Sequence, residues 1–280
     1  MGDSITAIKN KPGLDATTIK IIAIILMVFD HVHQMWAPLG APIWLKWLGR
    51  PVFPMFMFIM AESFFYTHSR KKFLRRLLLA AWFMVIFNVV LSTILPNPNP
   101  NVVLMNGAFM TFFVAGLYML FWDMLMDGIE TKKAGKIAVS IMLFFVPVLT
   151  AIPALLIAGL AGKIPFWLLR VLLAAGMMLP SVVYAEAGVI MVPLGLLFYV
   201  LRKRRWAQIA VLAAVTALEL VMEINAGRGA SIQWMMVFAA IPILLYNGEK
   251  GRGMKYFFYI FYPAHIYILY MIATLWQRAR

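Results

Sequence analysis

Long apolar runs separated by short polar breaks fill this chain, and that pattern leaves few folds open to it. The runs lie at about 17–38, 43–66, 77–95, 103–125, 137–158, 184–201, 206–222, 231–247 and 256–276. Most are on the order of the 20 residues a helix needs to cross a hydrocarbon core. Backbone polar groups in lipid must be satisfied within their own segment, which a helix does and an open sheet edge does not. The expectation is an all-α polytopic transmembrane helical bundle of about nine or ten spans. Residues 1–280 form a single integral membrane domain, because no polar stretch is long enough to build a separate core. Charged residues make up only 13% of the chain, against about 25% in soluble domains.

The polar breaks carry a topological code. Arg70, Lys71, Lys72, Arg75 and Arg76 follow the second run, and Lys132, Lys133 and Lys136 follow the fourth. Arg202 to Arg205 follow the sixth, and Lys250, Arg252 and Lys255 follow the eighth. With Lys9, Lys11 and Lys20 these fall on one face. The positive-inside rule makes that face cytoplasmic, with residues 1–15 as a cytoplasmic N-terminal segment. The parity requires that 164–180, bounded by Pro165 and Pro180, lie as an interfacial or re-entrant helix. A tenth span there would move the C-terminus inside. The Pro-Asn alternation from Pro96 to Asn101 reads as an extracytoplasmic turn.

A formal net charge of +14 invites a nucleic-acid reading, but the cations sit in short clusters between spans, not on a soluble surface. Cysteine is absent, which excludes disulfides, thiolate metal sites and a cysteine nucleophile. His31 and His33 lie about 200° apart around a helix, unsuited to sharing a metal ion. No HExxH, EF-hand, Walker A or G-x-S-x-G pattern occurs. No metal is expected.

Ionisable residues inside spans are costly and default to a functional reading. Lys20 and His31 share one helix face, roughly 16 Å apart along the axis. Asp30 precedes His31, and Arg50 reaches the depth of Asp30 if the first two spans form a hairpin, giving a buried ion pair beside the imidazole. Glu62 lies at the level of Lys20 and is expected to pair with Lys20 or Arg70. His265 follows Pro263 in the last span and reads as a second acid/base or a helix-packing hydrogen-bonder. His33 reads as an outer-end residue, and His68 as a loop residue facing solvent or headgroups. Arg70, Arg75 and Arg76 read either as topological and lipid-attracting charges or as a site for a phosphate-rich cytosolic ligand.

The run from Lys20 to Asp30-His31 resembles the opening of TraX-type proteins, which are associated with acetylation of conjugative pilin. Gly49-Arg50 with Phe53-Pro54, the stretch from Tyr66-Thr67 to Arg76, and the tail from Lys255 to Pro263-Ala-His265 are similar to the same family. Near Tyr184-Ala185-Glu186 the family carries an Asp-Tyr-Gly-like segment; here the acid is Glu186. A more distant likeness is to membrane acyltransferases that O-acetylate envelope sugars. Those carry an arginine, ten residues and a histidine in their first span; Lys20 stands in the arginine position.

These resemblances imply an acetyl-CoA-dependent acyltransferase of the bacterial inner membrane. The acceptor would be a pilin-like N-terminal amine or, alternatively, an envelope glycan. In that reading Lys20, Arg70, Arg75 and Arg76, with Glu62 nearby, hold the coenzyme A phosphates at the inner mouth. His31 is the general base, oriented by Asp30, with Arg50 and His265 assisting. Two other classes remain open: a proton-coupled transporter using Asp30, His31, Arg50 and Glu62, and a structural pilus-assembly factor.

Overall fold

The computed structural model describes residues 12–227 and 232–279. Lys9 and Lys11, assigned above to the cytoplasmic face, lie outside the described residues. Helix follows helix. The opening helix α1 (Ala16–Trp36) is started by Asp15, whose carboxylate accepts the Thr18 N–H at 2.7 Å. An N-cap of this kind satisfies one of the helix's orphan donors and places an anion at its positive end. A single 3-10 turn (Ala37–Leu39) and Gly40 reverse the chain into α2 (Trp44–Gly49) and α3 (Val52–Tyr66). Pro51, which has no N–H to donate, separates α2 from α3.

Next come α4 (Arg70–Ile94), α5 (Ala108–Glu130), α6 (Ala134–Leu149) and α7 (Ile152–Ala158). The Pro-Asn stretch between α4 and α5 is a string of tight turns, as expected. Asn97 and Asn99 side chains accept the N–H groups of Asn99 and Asn101. Beyond them lie α8 (Phe166–Met177), α9 (Gly188–Val200) and α10 (Arg205–Asn225). A 3-10 segment (Ile232–Ala239) leads into α11 (Ala240–Leu244), and α12 (Lys255–Arg278) closes the fold.

Seven helical stretches among the described residues are long and apolar enough to cross a membrane. They match the expected runs except at 184–201 and 231–247. There α9 has 13 residues, a rise of roughly 20 Å against a hydrocarbon core of about 30 Å. The physical reason is visible at its start. Residues 180–187 form irregular chain that dips into the bundle, burying Ser181 and Ala185. Ala187 then takes a left-handed conformation (φ 49°) before the helix begins. Non-helical backbone at such a depth is tolerated where protein surrounds it. At 231–247 the 3-10 segment and the five-residue α11 take the place of one long helix. The segment α8, twelve residues between Pro165 and Pro180, is also shorter than a span.

The centre of the molecule is α3, α5 and α9, where Met57, Phe58, Phe64, Val114, Met119, Leu194 and Phe198 are fully buried. The outer helices α6, α7, α8 and α10 present Met142, Phe145, Leu156, Trp167 and Leu218 outward. An apolar exterior on this scale is the surface of a chain whose solvent is lipid. The first helix packs against α2, α3 and α12. Before it, Leu14 exchanges backbone hydrogen bonds with the chain at 245–247, and the Thr17 hydroxyl donates to the carbonyls of Lys250 and Arg252. The segment joining α11 to α12 is thereby fastened over the beginning of α1.

Candidate functional site

A cavity of about 1110 Å³ runs along α1 between α3, α5 and α12. Lys20, Arg76, His68, Lys250 and Arg252 line it toward one end; Asp30, His31, Arg50, Glu186 and Gln233 line it toward the other. Since α1 is one uninterrupted helix, Lys20 and His31 keep their separation of roughly 16 Å along its axis. Both side chains face this space. A second cavity of about 300 Å³ is lined by Asp30, His31, His33, Gln34, Lys46, Arg50, Asn106 and Glu186. Asp30, His31, Arg50 and Glu186 belong to the walls of both.

The imidazoles of His31 and His265 meet where the first and last helices cross. His31 Nδ1 and His265 Nε2 are 2.7 Å apart, and both residues are buried. The protonation pattern follows from the neighbours. The Val103 carbonyl can only accept, so the Gln34 atom 3.2 Å from it is the amide nitrogen. That nitrogen also donates to Asn106 Oδ1, which makes the remaining Asn106 atom its nitrogen. Asn106 Nδ2 in turn donates to Gln34 Oε1 and to His31 Nε2, each across about 3 Å. His31 Nε2 therefore carries a lone pair, and its Nδ1–H donates to His265 Nε2. His265 Nδ1–H then donates to the Phe261 carbonyl at 2.7 Å. The chain of bonds ends on a main-chain carbonyl at each side and leaves one consistent arrangement, two neutral rings with the lone pair on Nε2.

Asp30 plays a different part from the one expected. Its Oδ1 accepts from Arg50 Nη2 at 2.6 Å, so the ion pair anticipated from the α1–α2 hairpin is present. The orientation of His31 comes instead from His265 and Asn106. Arg50 is further committed to Gln233 Oε1 (2.7 Å) and the Lys46 carbonyl (3.1 Å). Gly49 makes the pairing possible: a Cβ there would run into Asp30.

The basic cluster divides by helical phase. The stretch expected between spans forms the first two turns of α4, begun by Ser69. Arg76 lines the large cavity, and its Nε is buried without a hydrogen-bond partner. Arg75 is exposed on another face. Arg70 is held by Asp123 (2.5 Å) and the Tyr199 hydroxyl (3.2 Å), outside the cavity lining. Of the expected phosphate contacts, Lys20 and Arg76 face the cavity, while Arg70 and Arg75 do not. Glu62 also lines it, but its cationic neighbours are Arg205 and Arg202, where Lys20 or Arg70 was expected. Lys20 faces the Phe258 ring at 5.3 Å and lies near Lys250.

Glu186 sits at the start of α5. Its Oε2 accepts from the Gly107 N–H at 2.6 Å and from the Tyr262 hydroxyl at 3.4 Å. Sequence reasoning singled out Glu186 without a role and missed Asn106, Gln34, Gln233, Lys250 and Arg252 as site residues. A signal existed for Gln34, three residues beyond His31 on the same helix face. Asn106, beside the Gly107 that opens α5, gave none.

The TraX protein family matches residues 15–273. A protein of Dichelobacter nodosus named "Probable fimbrial assembly protein FimC, serogroup H1" is 26% identical over 278 residues, covering 91% of this chain and 93% of that one. No solved structure matches. With the family match spanning the Lys20–His31 helix, Gly49-Arg50, the start of α4 and the Pro263–His265 tail alike, the chain belongs to the TraX family.

Proposed function

We propose that this protein is an integral membrane acetyltransferase of the bacterial inner membrane, with its N-terminus cytoplasmic. It moves an acetyl group from cytosolic acetyl-CoA to an acceptor across the membrane, the N-terminal amine of a pilin-like protein. The observation that carries the reading is the large cavity joining a cationic mouth to His31, a buried histidine whose Nε2 is unprotonated. Arg76, with its buried and unpartnered Nε, fits an anionic ligand, and so do Lys20, Lys250 and Arg252 beside it. The distance along α1 from Lys20 to His31 is on the order of a diphosphate-pantetheine arm. The fimbrial name of the Dichelobacter nodosus relative supports a pilin-like acceptor.

Acetyl-CoA would supply an activated acyl carbon and a thiol leaving group. Once the acceptor displaces the Asn106 amide from it, His31 Nε2 takes the proton that the acceptor nitrogen loses as it bonds to the acyl carbon. The imidazolium formed keeps its Nδ1–H on His265, which spreads the charge over two rings. The proton on Nε2 leaves with the thiol as the carbon–sulfur bond breaks, so His31 returns to its starting state. Arg50, fixed by Asp30 and Gln233, supplies positive charge near the reacting centre. An α-amino group has a reference pKa of about 7.7–8.0 and loses its proton readily, which makes it a less demanding acceptor than a sugar hydroxyl.

The test is transfer of labelled acetyl from acetyl-CoA to an amine-bearing peptide by the purified protein in lipid nanodiscs. His31→Ala should insert and purify normally yet transfer nothing. Wild-type turnover by that variant would remove the base assignment and the reading built on it. The meeting of the two cavities at Asp30, His31 and Arg50 favours one alternative, a proton-coupled transporter. Proton-coupled flux into liposomes lacking acetyl-CoA would select it.

A further inference from the structure

The large cavity changes character twice along its length. Lys20, Arg76, Lys250 and Arg252 line its mouth, and none of the four forms a salt bridge among the described residues. Glu62 brings a carboxylate to that level, but Arg205 and Arg202 already stand against it. The mouth therefore keeps an excess of positive charge. At the far end Asp30, Arg50, Glu186 and Gln233 make a polar floor, with Asp30 and Arg50 paired.

Between these ends the wall is apolar. On α1 the lining residues between Lys20 and Asp30 are Ile24 and Met27, and on α3 every lining residue between Arg50 and Glu62 is apolar. A ligand passing along α1 and α3 meets no hydrogen-bonding side chain from them over a depth of roughly 15 Å. On α12 the Tyr259 hydroxyl lies against Arg76, and the Tyr262 hydroxyl is engaged by Glu186 and the Ala108 N–H. Met191 and Met236 complete the lining with Met27 and Met60, all four buried. Methionine walls reshape around flexible apolar groups. Methylenes gain by leaving water for such a wall, about fourfold in affinity for each one fully buried.

We propose that the large cavity is a binding site for a single-chain amphiphile, with a phosphate head at Lys20 and Arg76 and a saturated hydrocarbon tail along Ile24 and Met27. This goes beyond the transferase reading and stands without it, since it concerns another occupant of the same mouth. The polar floor limits the tail. An extended chain advances about 1.2 Å per bond, so a tail of about ten carbons reaches from the mouth to Asp30.

The test uses the full-length protein in nanodiscs and labelled n-butyl, n-octyl, n-decyl and n-tetradecyl phosphate. Binding is referred to the free aqueous concentration, with empty nanodiscs subtracted. It should saturate at one ligand per protein, with octyl phosphate held tenfold or more tighter than butyl phosphate. The gain should end near ten carbons, with tetradecyl phosphate no tighter than decyl, whereas partition into lipid keeps rising with every methylene. Binding indifferent to chain length, or rising through tetradecyl as in empty nanodiscs, would overturn the proposal.

Two variants locate head and tail. Arg76→Ala should weaken butyl and octyl phosphate alike, by about tenfold. Met27→Gln should weaken octyl phosphate by about tenfold and leave butyl phosphate unchanged; an octyl gain that survives it intact would sink the site. Met27 is buried and its replacement disturbs packing, so the wild-type series stands as the separate measure. Acetyl transfer is assayed in parallel. Chain-limited binding without transfer keeps this site and removes the transferase reading, and transfer with binding indifferent to chain length does the reverse.

Discussion

His265 accepts the Nδ1–H of His31 on one nitrogen and donates to the Phe261 carbonyl from the other, without lining either cavity. Its work is positional: it selects the tautomer that leaves the lone pair on His31 Nε2, where Asn106 Nδ2 donates. His265→Ala should leave a buried donor unmet, with a stability loss of about 1–3 kcal/mol and a fall in turnover of about a hundredfold. His265→Gln, whose amide oxygen can still accept from His31, should recover part of the turnover and keep the wild-type pH–rate profile. A merely structural role would instead lower both variants in step with their melting temperatures. Gly49 offers a second test, because any side chain there collides with Asp30. Gly49→Ala should destabilise by about 1–3 kcal/mol, seen as a lower melting temperature, and should dislodge Asp30 from Arg50. The pairing of Asp30 with Arg50 was legible in the sequence, since a hairpin brings equal depths together. The His31–His265 contact was not, because 234 positions separate the two residues and spacing says nothing at that range.

Along α4, one position decides which arginine meets the cavity. Arg75 and Arg76 differ by about 100° of helical rotation, and only Arg76 turns into the cavity. Arg76→Ala should raise the apparent KM for acetyl-CoA about tenfold, while Arg75→Ala should leave it unaltered; steady-state kinetics in nanodiscs distinguish them. The sequence marked the cluster as basic but held no apolar periodicity sharp enough to orient it. The short α9 makes a similar point. Its apolar run promised a span, yet the left-handed Ala187 and the buried turn before it delay the helix until Gly188. A Cβ on Gly188 would press on the Val182 carbonyl, which is fixed backbone, whereas one on Gly195 would meet the flexible Met57 side chain. Gly188→Ala should therefore lower the melting temperature more than Gly195→Ala.

Two cavities share a wall at His31, and in the proposed transfer each would serve as the approach of one reactant. The sequence carries no cysteine, so single introduced thiols report on each approach without background. Thr67→Cys lines the large cavity and His33→Cys the small one. In oriented vesicles a membrane-impermeant maleimide should label them from opposite faces, and coenzyme A should protect the thiol at 67 alone. Labelling of both from one face would overturn the assignment of sides. The bundle itself, its apolar exterior and most of its helices followed from run length and from lipid's refusal of unpaired backbone. The partition of its interior followed from neither, because it depends on where the 180–187 turn dips and where Asn106 falls.

The imidazole pair joins the first long helix to the last. During synthesis the ribosome must therefore deliver nearly the whole chain before the two rings can meet. A partly inserted or prematurely stalled product carries His31 without the partner that sets its tautomer. In the proposed transfer such a nascent species would have only the lowered turnover expected of His265→Ala, and full reactivity would arrive with the docking of the final helix.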